Sequence, residues 1–374
     1  MTALDAPYDL ACFAPDYARA RERFVDLARR QAATDARYYA NPNLGPAGEA
    51  LGTDVQWFGP ADADRVLVTI SATHGVEGFS GSGAQCDWLA GARPGWLPAG
   101  VAALFIHAIN PHGFAWLRRV TEEGVDLNRN FIDFDQPAPE NPGYDALAED
   151  LVPPELSGPR FEAAEARIAI YRETHGEVAF QVARCGGQYR HPGGMFHGGT
   201  APTWSRRTVE SILADFRLAG RRQVAVIDFH TGLGPYGYGE PICAHALDAS
   251  AVDRARAWYG PSLTEPNRGT SSSVPKVGTS ELGWERALGD AVTYLALEFG
   301  TFAPEAGRRA LREDHWLHLH AAADGAIDWN GAETRRIKAR IKRHYFPATS
   351  DWLQMVLFRS RQVIAQGLAG LADI

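Results

Sequence analysis

Four apolar runs mark the chain: Val66-Leu67-Val68-Thr69-Ile70-Ser71, Ala102 to Ile109, Gln223 to Phe229 and Ala291 to Leu297. Each is short, continuous and rich in β-branched or aliphatic residues, which predicts strands buried on both faces, as in a parallel sheet covered by helices. Segments with apolar residues at helical spacing lie around them. Tyr17 to Arg30 reads as an amphipathic helix, Phe161 to His175 reads as a helix, and three more are predicted over 303–323, 331–344 and 349–370. The pattern predicts an α/β fold with a mixed, mainly parallel central sheet flanked by helices and a helical C-terminal extension. Apolar positions in that extension, such as Trp352, Leu353, Val356, Leu357 and Val363, read first as core and second as the surface of a homo-oligomer. Two stretches resist regular structure. Residues 136–160, rich in proline and acid, form an excursion. Gly186 to Trp204, rich in glycine and aromatics, reads either as a loop over a cleft, offering Tyr189 and His197 to a ligand, or as a packed surface loop.

The ends of the strands carry the chemistry. His74 and Glu77 follow the first run in Thr73-His74-Gly75-Val76-Glu77-Gly78, and a neutral imidazole and a carboxylate at this spacing can reach one zinc ion from a single turn. The third run leads into His230 and the fourth into Glu298. In open α/β sheets ligands bind at the carboxyl ends of the strands, so these residues should meet at one edge. Two histidines and one glutamate leave a fourth coordination position open for water, as catalytic zinc sites do. Glu298, beside the metal but not bound to it, can act as a general base. Asp228, two residues before His230, shares its face and can partner an imidazole nitrogen. After the second run come Asn110-Pro111-His112-Gly113-Phe114 and Asp126-Leu127-Asn128-Arg129-Asn130. Asn128 with Arg129 suits two-point grip of a carboxylate, and Arg119 offers a charge for an oxyanion. Arg118 reads as a structural charge, and His112 and His191 as structural residues.

In this chain order, His74-x-x-Glu77, Asn-Pro-x-Gly-Phe, Asp126 to Asn130, His230 and Glu298 resemble the zinc carboxypeptidase family related to carboxypeptidase A. The Thr73 to Gly78 and Phe229 to Gly234 segments resemble a bacterial branch catalogued as a domain of unknown function, and the His-Gly-x-Glu form is similar to the aspartoacylase and succinylglutamate desuccinylase group. The resemblance implies one zinc ion per chain held by His74, Glu77 and His230, with Glu298 as general base and later acid. It implies Asn128 and Arg129 on the substrate's terminal carboxylate and Arg119 polarising the scissile carbonyl. It also implies a tyrosine that closes over the substrate, for which Tyr236, Tyr238 and Tyr259 are all candidates. The expected activity is that of a metallocarboxypeptidase on short peptides. N-acyl amino acid deacylation and a zinc-binding module without turnover are the alternatives.

With 374 residues and 45% hydrophobic content the chain can bury a large core. It reads as a single domain over 1–374, with a core at about 50–325 and the helical segment 326–374 packed on it. The net charge of -8 is spread along the chain without a basic stretch, which argues against nucleic acid. The first eight residues lack a basic region followed by an apolar core, and no apolar stretch is long enough for a bilayer, so no membrane partner is expected. Cys12, Cys86, Cys185 and Cys243 are scattered without metal-type spacing and read as free thiols, which points to a cytoplasmic protein.

Overall fold

The computed structural model describes residues 7–321, 325 and 327–374. Residues 1–6 of the amino-terminal reading, the end of the helix expected over 303–323, and position 326 of the expected boundary lie outside that range. Seven strands form one sheet: β1 (Asp35–Leu44), β2 (Ala50–Phe58), β3 (Arg65–Ile70), β4 (Val101–His107), β5 (Gln223–Thr231), β6 (Gly239–Ile242) and β7 (Val292–Phe299). Their spatial order is β1-β2-β4-β3-β5-β7-β6. The four apolar runs are the four middle strands, and these pair in parallel. The β1–β2 hairpin and the edge strand β6 join antiparallel, making the sheet mixed as expected.

Alternation along each strand divides the core in two. Leu67, Phe105, Ile227 and Leu297 face one cluster, while Val68, Leu104, Val226 and Tyr294 face the other. The longer helices are α1 (Tyr17–Arg30), α2 (Gly78–Gly91), α3 (Pro159–His175), α4 (Glu177–Cys185), α5 (Trp204–Asp215), α6 (Ser250–Tyr259), α7 (Ser280–Leu288), α8 (Pro304–Trp316), α9 (Ala332–Tyr345) and α10 (Ser350–Ala372). The first cluster takes Phe24 of α1, Leu89 of α2 and Val356 of α10; the second takes Ile212 of α5 and Trp284 of α7. Helix α1 starts where the Asp16 side chain accepts from the Arg19 amide at 2.8 Å, and it buries Tyr17, Ala20, Phe24 and Ala28 as one stripe. Of the helix expected over 303–323, α8 ends at Trp316 and passes into a wider turn over Leu317–Ala321.

Two features position the site. Strand β3 lies between β4 and β5, so the chain leaves β3 towards one side and later returns on the other, and the loops above it part to leave a crevice. On the face of the second cluster, β5 and β7 change from apolar to polar as they run to their carboxyl ends: Val224, Val226, Asp228, His230 on β5 and Val292, Tyr294, Ala296, Glu298 on β7.

Among the described residues no helix is long and apolar enough to cross a membrane. Helix α10 lies on the opposite face, tied to α2 by Arg361, whose Nε and Nη2 donate to the two oxygens of Asp87 at 2.7 Å each; both side chains are at most 4% exposed. Removing one partner strands the other as a buried charge, so Asp87→Ala should cost about 3 to 5 kcal/mol. Denaturant unfolding measures it, and a loss below about 1 kcal/mol would mean that the pair behaves as a solvated one.

Candidate functional site

His74, Glu77 and His230 converge at the carboxyl ends of β3 and β5. Their candidate ligand atoms all lie within 4.8 Å of one another, and all three residues are buried. His230 Nδ1 is 3.2 Å from His74 Nδ1 and 3.3 Å from Glu77 Oε2, while His74 Nδ1 is 2.9 Å from Glu77 Oε1. The orientation of His230 is set from behind. Its Nε2–H donates to Asp228 Oδ2 at 2.8 Å, so the Nδ1 lone pair points into the cluster. Asp228 also accepts from the Thr73 hydroxyl and, at 2.7 Å, from the Tyr294 hydroxyl, so the sequence reading of Asp228 as an imidazole partner holds.

His74 Nε2 lies 2.7 Å from Arg119 Nη2 and 3.3 Å from Asp126 Oδ1. A guanidinium can only donate, so here Nε2 accepts and Nδ1 carries the proton towards Glu77. A cation among these donors would take that proton's place at Nδ1. The donor set of two imidazole nitrogens and a carboxylate, each imidazole backed by a second carboxylate, fits a divalent metal such as zinc. Burial alone would raise the Glu77 carboxyl, but His74, His230 and Arg119 hold it far below the ordinary range. Burial would lower His230, yet Asp228 and Glu77 push it up to about 10. Both shifts record a cluster that attracts positive charge.

The turn bearing these ligands depends on close backbone contact. Gly75 N donates to Arg119 O at 3.1 Å and Val76 N to Arg118 O at 2.8 Å. A Cβ at Gly75 would stand 2.1 Å from the Gly113 carbonyl carbon. A Cβ on Gly113 itself would meet Asn110 Nδ2 and Val120 O, each at 2.6 Å.

Glu298 is paired in register with His230 across the β5–β7 ladder, so both side chains rise on one face. Its Oε1 accepts from the Leu233 amide at 3.0 Å, and burial, then the charge of Glu77, raises its carboxyl above the ordinary range. A cavity of about 360 Å³ opens here, lined by His74, Arg119, Asn128, Arg129, His230 and Glu298 among others. Of the residues assigned from the sequence to the metal, to catalysis and to the substrate carboxylate, Glu77, next to Arg119, is the one not on its wall. Arg119 is held by Asp126 through Nε at 2.9 Å and by Glu77 through Nη1 at 3.1 Å. Arg129 is fully buried, its Nη2 on Cys185 O at 2.7 Å, its Nε without a hydrogen-bond partner among the described residues. Asn128 Oδ1 accepts from the Ser280 amide at 2.8 Å, which turns its amide donors away from α7.

Three residues escaped the sequence reading. Asp126 stands behind His74, and nothing local to its motif signals a partner 52 positions earlier. Tyr345, at the end of α9, lines the cavity beside Arg119. Lys276, in a loop of serine and proline, lines it near Arg129, and burial followed by that neighbour lowers its ammonium. Of the candidate closing tyrosines, Tyr236 and Tyr238 are exposed, Tyr259 is buried in the core, and none lines the cavity. The Gly186 to Trp204 loop is a packed wall. Tyr189 donates to Arg129 O at 2.7 Å, Asp126 N donates to His197 O at 2.8 Å, and of the loop only Phe196 reaches the cavity. Arg118 is structural, bound with Lys338 to the buried Asp314.

The family model described as "Protein of unknown function (DUF2817)" matches residues 13–359. No curated protein matches. Among solved structures the chain is similar to carboxypeptidase A from Helicoverpa armigera, at 12% identity over 100% of this chain and 78% of that one, with a TM-score of 0.49. It is similar to succinylglutamate desuccinylase from Chromobacterium violaceum, at 14% identity over 87% and 74%, with a TM-score of 0.34. It is also similar to murein-tripeptide amidase MpaA from Escherichia coli O157, at 18% identity over 78% and 95%, with a TM-score of 0.32.

Gly75→Ala tests the close approach. Its Cβ meets backbone that cannot swing aside, so the expected loss of stability is about 3 kcal/mol or more, read as a fall in the unfolding midpoint. An unchanged midpoint would show that the turn can give way.

Proposed function

The chain belongs to the DUF2817 family, and we propose that it is a zinc-dependent hydrolase that cleaves an amide bond near a free carboxylate, acting as a carboxypeptidase on short peptides. The observation that carries this reading is the convergence of His74, Glu77 and His230, with Glu298 beside them and Asn128 and Arg129 on the wall of the same cavity. One zinc ion per chain, when bound, supplies a Lewis acid for the amide carbonyl and lowers the pKa of a water so that it can attack near neutral pH.

The remaining steps belong to the protein. Asp228 and Asp126 orient the two imidazoles. Glu298, one oxygen fixed by Leu233 N, takes the proton of the attacking water with the other and returns it to the departing amine nitrogen. Arg119, pinned by two carboxylates, faces the carbonyl oxygen as negative charge gathers there, and being already placed it needs no reorganisation. Arg129 and Asn128 receive the substrate carboxylate, and Lys276 adds a second positive charge at that end. A buried guanidinium whose Nε lacks a partner gains most from such an anion.

The test is hydrolysis of dipeptides and N-acyl amino acids with and without a chelator, together with metal content. The reading expects about one zinc per chain and chelator-sensitive release of a carboxyl-terminal residue; release from N-acyl amino acids alone would make it a deacylase. Glu298→Gln should keep the zinc and lose roughly 10² to 10⁴-fold in kcat. A variant as active as the parent would remove Glu298 from the mechanism.

A base works only when ionised, and the Glu298 carboxyl is raised. Activity should therefore fall as pH drops through a value above about 4.3, the ordinary glutamate pKa. A kcat/KM profile flat down to pH values near that number would contradict the assignment.

A further inference from the structure

The end of α9 brings into the cavity a side chain that has no part in the steps above. Tyr345 is 4% exposed and lines the cavity together with His74, Arg119, His230 and Glu298. It stands among the groups assigned to the reaction: the charges that bear on its phenol are those of Arg119, Glu77 and Glu298. A Cβ on Gly232 would lie 3.0 Å from the Tyr345 ring and 3.9 Å from Glu298 Oε1, so the ring and the general base flank one glycine. The place of Tyr345 is set by the fold. The hydroxyl of Thr231, the residue after the ligand His230, donates to Tyr345 O at 2.7 Å and ties the end of α9 to the end of β5. The rings on either side are packed as well: His344 stands edge-on to Tyr345 with centroids 4.9 Å apart, and Phe346 stacks on Phe79 of α2 at 5.2 Å.

Arg119 supplies charge at this point but little free hydrogen-bonding capacity. Its Nε faces Asp126, its Nη1 faces Glu77 and its Nη2 faces His74, so every nitrogen of the guanidinium is engaged before a substrate arrives. Arg119 also bears on Tyr345 as a hydrogen-bond donor to the phenol oxygen. A guanidinium only donates, so the phenol accepts in that contact and keeps its own hydrogen, which no described residue takes. A phenol with an ordinary pKa of about 10 carries that hydrogen throughout the neutral range. The wall of the cavity thus holds one O–H donor, fixed in place and unspent, between the charge of Arg119 and the carboxyl of Glu298.

We infer that Tyr345 is a further catalytic residue, whose hydroxyl donates a hydrogen bond to the oxygen of the scissile carbonyl as negative charge gathers there. The inference rests on the proposed hydrolase reading for the reaction, and on the placement of Tyr345 for the residue. The phenol keeps its proton throughout; the bond strengthens as the oxygen becomes charged, so it lowers the barrier more than it tightens the hold on the substrate. Because Thr231 and the flanking rings already hold it, this donor needs no loop to close and no reorganisation at the moment of reaction. The tyrosines of the glycine-rich loop, Tyr236 and Tyr238, are then not required for the chemistry.

The experiment uses Tyr345→Phe in the full-length, zinc-loaded protein, which keeps the ring and its packing and removes the hydroxyl alone. On the best dipeptide or N-acyl amino acid of the screen above, kcat should fall roughly 10- to 100-fold, the worth of one hydrogen bond to a charged oxygen, while KM, zinc content and the unfolding midpoint stay near the parent values. A second readout needs no turnover. Calorimetry compares a phosphinic analogue of that substrate, tetrahedral and anionic where the carbonyl oxygen would be, with the amino acid product; the variant should lose affinity for the analogue by the same factor and keep its affinity for the product. Repeating the analogue measurement in an Arg119→Lys background separates direct contact from an effect relayed by the guanidinium: the loss should persist there, and its disappearance would make Tyr345 a prop for Arg119 and overturn the inference. Unchanged kcat and analogue affinity, or a loss that falls equally on KM and on the product, also overturns it and leaves the hydrolase reading standing. No turnover of any substrate by the parent protein removes the hydrolase reading, and the inference with it.

Discussion

The two Nδ1 atoms of His74 and His230 face each other at 3.2 Å, and the structure around them is organised to hold them there. Two bare electron pairs so close would repel, and the hydrogen on His74 Nδ1 prevents this in the protein alone, where a cation could take its place. Of the charged groups hydrogen-bonded around the two imidazoles, three are carboxylates, Glu77, Asp126 and Asp228, and one is a guanidinium, Arg119. With both imidazoles neutral the difference is two negative charges in a region shut off from water, and the raised His230 takes up one of them as a proton. Buried charge of that kind must be neutralised, and a divalent cation among the imidazoles would do so at the point where the donors already aim. The same arithmetic explains why Arg119 is held on three sides. It is the only cation in contact with this cluster among the described residues, and without it Glu77 and Asp126 would repel each other.

The sheet makes that contact available. His230 stands on the same face as Asp228 because side chains repeat every second residue along β5, and β5 lies beside β3 because the strand order reverses there. A slip of one residue in the β5 register would send His230 to the helix α2 side and put Phe229 into the cavity. The apolar alternation of Val224 and Val226 on one face, and of Ala225 and Ile227 on the other, sets the register, so the core itself fixes the position of the site.

Legibility in the sequence follows the range of the signal. Strands β3, β4, β5 and β7 were legible because burial on both faces leaves a continuous apolar run, and His74, Glu77, His230 and Glu298 because each closes such a run. Asp228 was legible through periodicity alone. Asp126 and Tyr345 were not, since each matters for what it meets in space: His74 lies 52 residues before the first, and Arg119 reaches the second from another part of the chain. The Gly186 to Trp204 loop shows the limit of composition. A glycine that turns the chain and a glycine pressed against a neighbour look alike in a sequence. Gly198, whose Cβ would stand 2.1 Å from the Tyr189 ring, is of the second kind.

Backbone strain completes the account of how the site is kept in shape. Ala72, Ala108, Leu117 and Phe196 adopt left-handed conformations, with φ between 52° and 63°, that side-chain-bearing residues rarely take. Ala72 lies two residues before His74, Leu117 two before Arg119, Ala108 at the end of β4, and Phe196 packs its ring against both Arg119 and Arg129 at 5.1 and 5.7 Å. Each such conformation costs about 1 to 3 kcal/mol and persists only where neighbours over-determine it. Here they do: Asn110 N is bonded to Ala72 O, Ile109 N to Ser71 O, and Gly75 N to Arg119 O. Loops that carry such strain while so cross-linked do not wait for a ligand to order them. The positions of His74, Glu77 and Arg119 are therefore a property of the folded chain, and what a ligand meets in this cavity is a fixed arrangement of charge.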